Sequence, residues 1–165
     1  MKSLIIYGNF ARAANAEANI EFAAQLIGDT SHGKIKMCRA EVLKQSVAAT
    51  KMLAETADAH LIVVALSRFE PLDKWLINWL ETWAGRRLIS DALLAVFEDE
   101  YSPALSQSSR RKLSRFTRRQ GMGFILGDSR SVPVDAVVRL HSSWTRQPGR
   151  PAKLLPLDNL VRNEH

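Results

Sequence analysis

The sequence is poor in the groups on which most metal and redox centres are built. Cys38 is the only cysteine among 165 residues, which excludes an internal disulfide framework and a cysteine-based metal site and makes a reducing cytoplasm the expected compartment. The four histidines, His32, His60, His141 and His165, are scattered without metal-ligand spacing, so no metal is expected. There is no Gly-x-Gly-x-x-Gly and no Walker loop, and Ser67 lacks the glycine-flanked elbow of an α/β-hydrolase nucleophile. No apolar run approaches the ~18 residues needed to cross a bilayer. The opening apolar stretch, Leu4-Ile5-Ile6-Tyr7, is short and reads as a strand rather than a secretory leader.

Acidic side chains become scarce toward the end of the sequence. Residues 1–100 carry 11 basic and 13 acidic groups, whereas residues 101–165 carry 12 basic and 4 acidic. The formal charge of +6 therefore resides in the last third, and that third is expected either to face solvent or to meet an anionic partner. Otherwise the composition is that of an ordinary globular chain, 46% hydrophobic and 24% charged, and the length suits one core.

Five apolar runs alternate with helical patterns. Residues 3–7 form a short run closed by the turn signal Gly8-Asn9. Residues 11–27 are alanine-rich, with Ile20, Ala23, Ala24 and Ile27 at helical spacing and Gly28 placed as a C-cap. Residues 34–40 alternate with a period of two, the pattern of a half-exposed edge strand. Residues 45–57 are again helical. Residues 61–65, Leu-Ile-Val-Val-Ala, form a continuous run suited to a central strand covered on both faces. Pro71 opens a helix to Arg86, residues 92–97 make a fourth strand, and a helix spans residues 103–119. Residues 123–126 make a fifth strand stopped by Gly127-Asp128-Ser129.

This alternation predicts an α/β three-layer sandwich with a five-stranded parallel sheet ordered 2-1-3-4-5. Its domain covers residues 1–130. Residues 131–165 are expected to form a basic extension, partly irregular, in which residues 136–140 make a short helix or an extra strand.

Ligands of such sheets bind beyond the carboxyl ends of the strands, where strand order reverses. The candidate cofactor-binding residues there are Asn9, Phe10 and Arg12 after the first strand and Ser67, Arg68 and Phe69 after the third. Tyr101 and Arg130 follow the fourth and fifth. Arg12, Arg68 and Arg130 present guanidinium forks suited to phosphate or carboxylate, and Phe69 or Tyr101 is placed to stack on a planar ring. The alternative is that the three arginines are separate surface groups.

Over residues 1–130 the chain resembles the flavodoxin-like family. The carriers are Leu4-Ile5-Ile6-Tyr7-Gly8-Asn9 followed by a small-residue helix, similar to the first strand and phosphate loop of flavodoxins and NADPH-dependent flavin reductases. Pro71-Leu72 with Trp75-Leu76 is similar to the helix after the third loop of those reductases. The resemblance implies flavin mononucleotide as a possible cofactor. Family phosphate loops are rich in Ser, Thr and Gly, whereas Gly8-Asn9-Phe10-Ala11-Arg12-Ala13-Ala14 holds no hydroxyl and a bulky Phe10, so the cofactor is left unassigned. The strand order also resembles response-regulator receivers, but the metal-binding carboxylates and the phospho-acceptor are missing.

Four features remain. Leu72, Trp75, Leu76, Trp79, Leu80 and Trp83 form an apolar helical stripe. Tryptophans spaced by four drift about 40° per step, wider than one sheet face uses, so Trp75, Trp79 and Trp83 are expected at a homodimer contact. Arg111, Arg115, Arg118 and Arg119 share one face of a later helix, a candidate anion-binding surface. Further on, Gly149-Arg150-Pro151 is half of an AT-hook-like core, Pro148 standing where an arginine should precede the glycine. Cys38 lies between Lys36 and Arg39, which favour the thiolate, yet with no partner histidine it reads as a bystander. The function expected is a non-catalytic binding or scaffold domain with a basic surface for an anionic ligand. The alternatives are a small flavin- or nucleotide-dependent oxidoreductase and a nucleic-acid-binding accessory protein.

Overall fold

The computed structural model describes residues 1–26, 33–66, 74–98 and 105–128. Pro71, Gly28 and the whole stretch from 129 to 165 lie outside the described residues. The elements are β1 (Lys2–Tyr7), α1 (Phe10–Leu26), β2 (Lys34–Arg39), α2 (Ala40–Leu43), α3 (Ser46–Glu55), β3 (Leu61–Ala65), α4 (Lys74–Arg86), β4 (Leu93–Glu98), α5 (Gln107–Arg119) and β5 (Gly123–Asp128). Every strand pair is parallel and the order is β2-β1-β3-β4-β5, as the alternation predicts.

Register turns the apolar runs into two cores. Ile5 stands opposite Val63, Val63 opposite Ala95, and Ala95 opposite Ile125. Successive side chains of a strand point to opposite faces, so this row lies on one side of the sheet and the row Leu4, Ile62, Leu94 on the other. Ala13, Ala16 and Ile20 of α1 cover the first row; two of the three are alanines, which let the helix backbone approach the sheet closely. The second row packs against Leu43, Leu53, Leu76, Trp83, Leu113 and Phe116, supplied by α2, α3, α4 and α5. β3 is buried along its whole length, whereas the edge strand β2 is buried only at Cys38.

Helix ends are closed by local chemistry. The Ser106 hydroxyl accepts from the Ser109 amide at 3.2 Å and caps α5. At the other end Gly121 has φ +65°, a left-handed conformation that glycine adopts at little cost. There the Met122 amide donates to the Thr117 carbonyl at 2.8 Å and the Gly121 amide to that of Arg118 at 3.2 Å, the paired bonds of a Schellman motif. Arg87 ties α4 to α5, donating to the carbonyls of Ala84, Ile89 and Gln120.

Three expectations need correction. The helix expected over 45–57 is preceded by a separate turn, α2, whose end is tightened by Lys44 and Gln45 amides bonding back three residues to Glu41 and Val42. The fifth strand does not stop at Leu126, because Gly127 and Asp128 continue in register with Phe97 and Glu98. Two of the three tryptophans expected at a dimer contact, Trp79 and Trp83, are core residues. Trp79 is 4% exposed and Trp83 0%, and their indole N–H groups donate to the Ala49 carbonyl at 3.4 Å and the Thr56 carbonyl at 2.9 Å. The 40° drift turns these rings from the sheet toward α3 and its C-terminal end, so two surfaces share the stripe. Trp75 is half-buried against the same core, with the Lys44 ammonium 5.5 Å from its ring centre.

Truncating Trp83 to Ala should cost about 3–5 kcal/mol in urea unfolding, while Trp75→Ala costs less than half as much. The reverse order would return the stripe to an exposed role.

Candidate functional site

β1 has β2 on one side and β3 on the other, so the carboxyl ends of β1 and β3 mark the point where strand order reverses. Tyr7 is in register with Ala65, and the Gly8 amide donates to the Ala65 carbonyl at 3.2 Å, holding the turn into α1 against the end of β3. Asn9 follows as the helix cap. Its side-chain oxygen accepts from the Arg12 amide at 3.0 Å, and its carbonyl accepts from the Ala13 amide at 3.3 Å. The second of these is the first bond of the helix ladder, so one of the amides that an anion at a helix N-terminus would use, that of Arg12, is satisfied from within the turn.

Arg12 projects across the reversal point. Its Nη1 donates to the Leu66 carbonyl at 3.3 Å, just past the end of β3, so the guanidinium bridges the two loops that would frame a crevice. Beside it is a cleft of about 10 Å³ lined by Arg12, Asn15, Ala16, Asn19, Ala65 and Phe97, room for about one water molecule. Phe10 points away and is 71% exposed.

Of the eight residues expected to hold a cofactor, Asn9, Phe10 and Arg12 are thus at the reversal point, with Asn9 and Arg12 joined by the cap. Ser67, Arg68, Phe69, Tyr101 and Arg130 lie outside the described residues. Asn15, Asn19 and Phe97 were not anticipated. The signal for the asparagines was present, since positions 12, 15 and 19 recur at i, i+3 and i+7 on one helical face. Phe97 was hidden in an apolar strand whose last inward position becomes a cleft wall.

The second candidate region is α5. Arg111, Lys112, Arg115, Arg118 and Arg119 are all exposed, while Ser109, Leu113, Phe116 and Thr117 are buried beneath them. At 100° per residue the five cations occupy an arc of about 120° and rise about 12 Å along the axis. Arg119 Nη2 reaches Glu81 Oε1 of α4 at 2.7 Å. Arg111, Lys112, Arg115 and Arg118 have no ion pair among the described residues.

Two further groups bear on chemistry. Burial pushes the Cys38 thiol above its ordinary value and outweighs the opposing pull of Lys36, which keeps it protonated and unreactive. His60 immediately precedes β3 at the amino-terminal end of the strand, opposite the reversal point, its Nδ1 buried with no hydrogen-bond partner among the described residues. Desolvation, the Met1 amine and Lys2 hold it below 6.5, against the opposing charge of Asp58.

The solved structures similar to this chain include the two-electron reduced flavodoxin of Megasphaera elsdenii, with 12% identity and a TM-score of 0.50 over 87% of this chain and 97% of that one. The fold is flavodoxin-like. Also similar are the Trp repressor binding protein of Bacillus subtilis, with 10% identity and a TM-score of 0.47 over 88% and 98% of the two chains, and the Streptococcus pneumonia TIGR4 flavodoxin, with 13% and 0.42 over 87% and 94%. No family model matches the chain, and no curated protein matches it significantly. The flavodoxin-like architecture places α1 and the reversal point where the sequence resemblance expects them. No helix among the described residues is long and apolar enough to cross a membrane.

Because the folded state disfavours protonated His60, its contribution to stability is fully present above about pH 6.5 and lost as pH falls below it. Asp58 and Glu55, held low by hydrogen bonds from Lys2 and Lys36, act in a separate window, losing their contribution only as pH falls below about 4.5. Urea midpoints should therefore decline for the wild type between pH 7.5 and 5 and decline less for His60→Gln; equal slopes would contradict the assignment.

Proposed function

We propose that this chain is a binding domain with a flavodoxin-like fold that performs no catalysis of its own and engages an anionic partner through a basic surface. The observation that carries the reading is the outer face of α5, where four exposed cations lack an ion pair among the described residues. Ordinary solvated helices offset such charge with acidic residues at i±4. The α5 sequence, Gln-Ser-Ser-Arg-Arg-Lys-Leu-Ser-Arg-Phe-Thr-Arg-Arg, contains none, so like charges repel along the helix until an anion relieves them.

The reversal point supports the non-catalytic half of the reading. A flavin phosphate held at the start of α1 needs free amides and close backbone approach. Here the Arg12 amide is taken by the Asn9 side chain, the Arg12 guanidinium is turned onto the Leu66 carbonyl, and the adjoining cleft is water-sized. Among the described residues this arrangement does not suit the phosphate of flavin mononucleotide.

Two measurements test the reading. Titration with flavin mononucleotide should leave the flavin fluorescence unquenched, and the protein should be retained on immobilised heparin and released earlier once Arg111, Arg115 and Arg118 are changed to Gln. Stoichiometric flavin binding would overturn the non-catalytic assignment; unaltered heparin retention in the variant would overturn the assignment of the surface.

A further inference from the structure

Resting on the anionic-partner reading, we infer that the partner is a nucleic-acid duplex, gripped by α5 through its phosphodiester backbone without regard to sequence. The exposed residues of α5 are Gln107, Ser108, Arg111, Lys112, Ser114, Arg115, Arg118 and Arg119, and their chemistry selects among polyanions. Arginine, lysine, serine and glutamine side chains are the usual donors to phosphate oxygens, and such contacts position a protein on a duplex without reading its bases.

An acidic protein fits this face less well. Protein interfaces centre on a dehydrated cluster of aromatic and aliphatic anchors, with lysine depleted, and the exposed side of α5 presents no apolar side chain at all. The apolar groups of the helix, Leu113 at 1% and Phe116 at 4% exposure, are committed to the core beneath it. For the same reason α5 has no apolar face to lay into a lipid surface. Single strands are bound on aromatic stacking platforms, and this face carries no aromatic ring. A duplex backbone needs only charge and hydroxyl donors on a rigid rod, and the arc supplies both over about 12 Å of helix rise, comparable to the ~12 Å width of a major groove.

Rigidity is built in from both ends. The Ser106 cap and the Gly121 turn fix the helix termini, Arg87 ties its last turn to α4, and Leu113 and Phe116 fix its rotation. The cations are thus held on the outward side before any ligand arrives.

Fluorescence anisotropy with two labelled 20-base-pair duplexes of unrelated sequence, and with labelled polyglutamate in parallel, tests the inference. Both duplexes should bind with equal affinity, and log K should fall with log salt at a slope of about −3.6, from four cations at −0.9 each. Arg111→Gln/Arg115→Gln/Arg118→Gln should weaken duplex binding at least about tenfold and flatten the slope to about −0.9, while the three Arg→Lys replacements and a control Lys51→Gln on α3 retain binding. If polyglutamate binds through α5 and the duplexes do not, the nucleic-acid inference falls and the anionic-partner reading stands. If neither polymer binds, both fall. Duplex binding that the triple Gln variant leaves unchanged would also overturn the inference, by placing the contact elsewhere.

Discussion

The lateral alignment of β1, β3 and β4 is the constraint from which the rest of the architecture follows. With Leu4, Ile62 and Leu94 in one row and Ile5, Val63 and Ala95 in the other, both faces of the central strands are apolar and each must be covered. A slip of one residue would exchange the rows and move every covering helix onto the wrong neighbours. The two faces are covered differently. Among the described residues, one takes a helix that approaches on small residues, Ala13 and Ala16. The other takes helices that approach on large ones, Trp79, Trp83, Leu113 and Phe116. That asymmetry makes the second side thick and leaves α5 with a well-anchored inner stripe and a wholly polar outer one.

The same alignment brings the ends of β1 and β3 together and leaves the chain to decide what to do with the space above them. In this sequence the decision is made by Asn9 and Arg12. An asparagine cap satisfies a helix amide that a ligand would otherwise find, and a guanidinium reaches a backbone carbonyl across the gap. The reversal point is a consequence of topology, whereas among the described residues its chemistry depends on two side chains. A widely used architecture can host unrelated sites, so the fold alone assigns no activity.

Much of this was legible beforehand, for identifiable reasons. The strands over Leu4-Ile5-Ile6 and Leu61-Ile62-Val63-Val64 are runs too short for a buried helix and rich in β-branched residues, and β2 shows its edge position in the alternation of Lys34 and Lys36 with Ile35 and Met37. The exposure of Arg111, Arg115, Arg118 and Arg119 was readable because Leu113 and Phe116 fix which side of α5 faces in. Trp79 and Trp83 were misread because the width of an apolar stripe says how much surface it buries, not how many partners share it; α3 supplied the second. The turn at α2 was hidden by its length, and the continuation of β5 by Gly127-Asp128, a turn signal overridden by pairing with β4. Of the reversal point, the backbone position was predictable and the bond from Arg12 to Leu66 was not, since that carbonyl belongs to a residue 54 positions away.

If α5 is the working surface, its inner stripe and outer arc divide one helix between stability and recognition, and the two are separable. The direct measurement is a nuclear magnetic resonance titration of isotope-labelled protein with an unlabelled duplex at low salt. The account predicts that the shifted amides cluster between Arg111 and Arg119, with Asn9, Phe10 and Arg12 unmoved. Shifts centred on the turn from Gly8 to Arg12, with α5 silent, would contradict it.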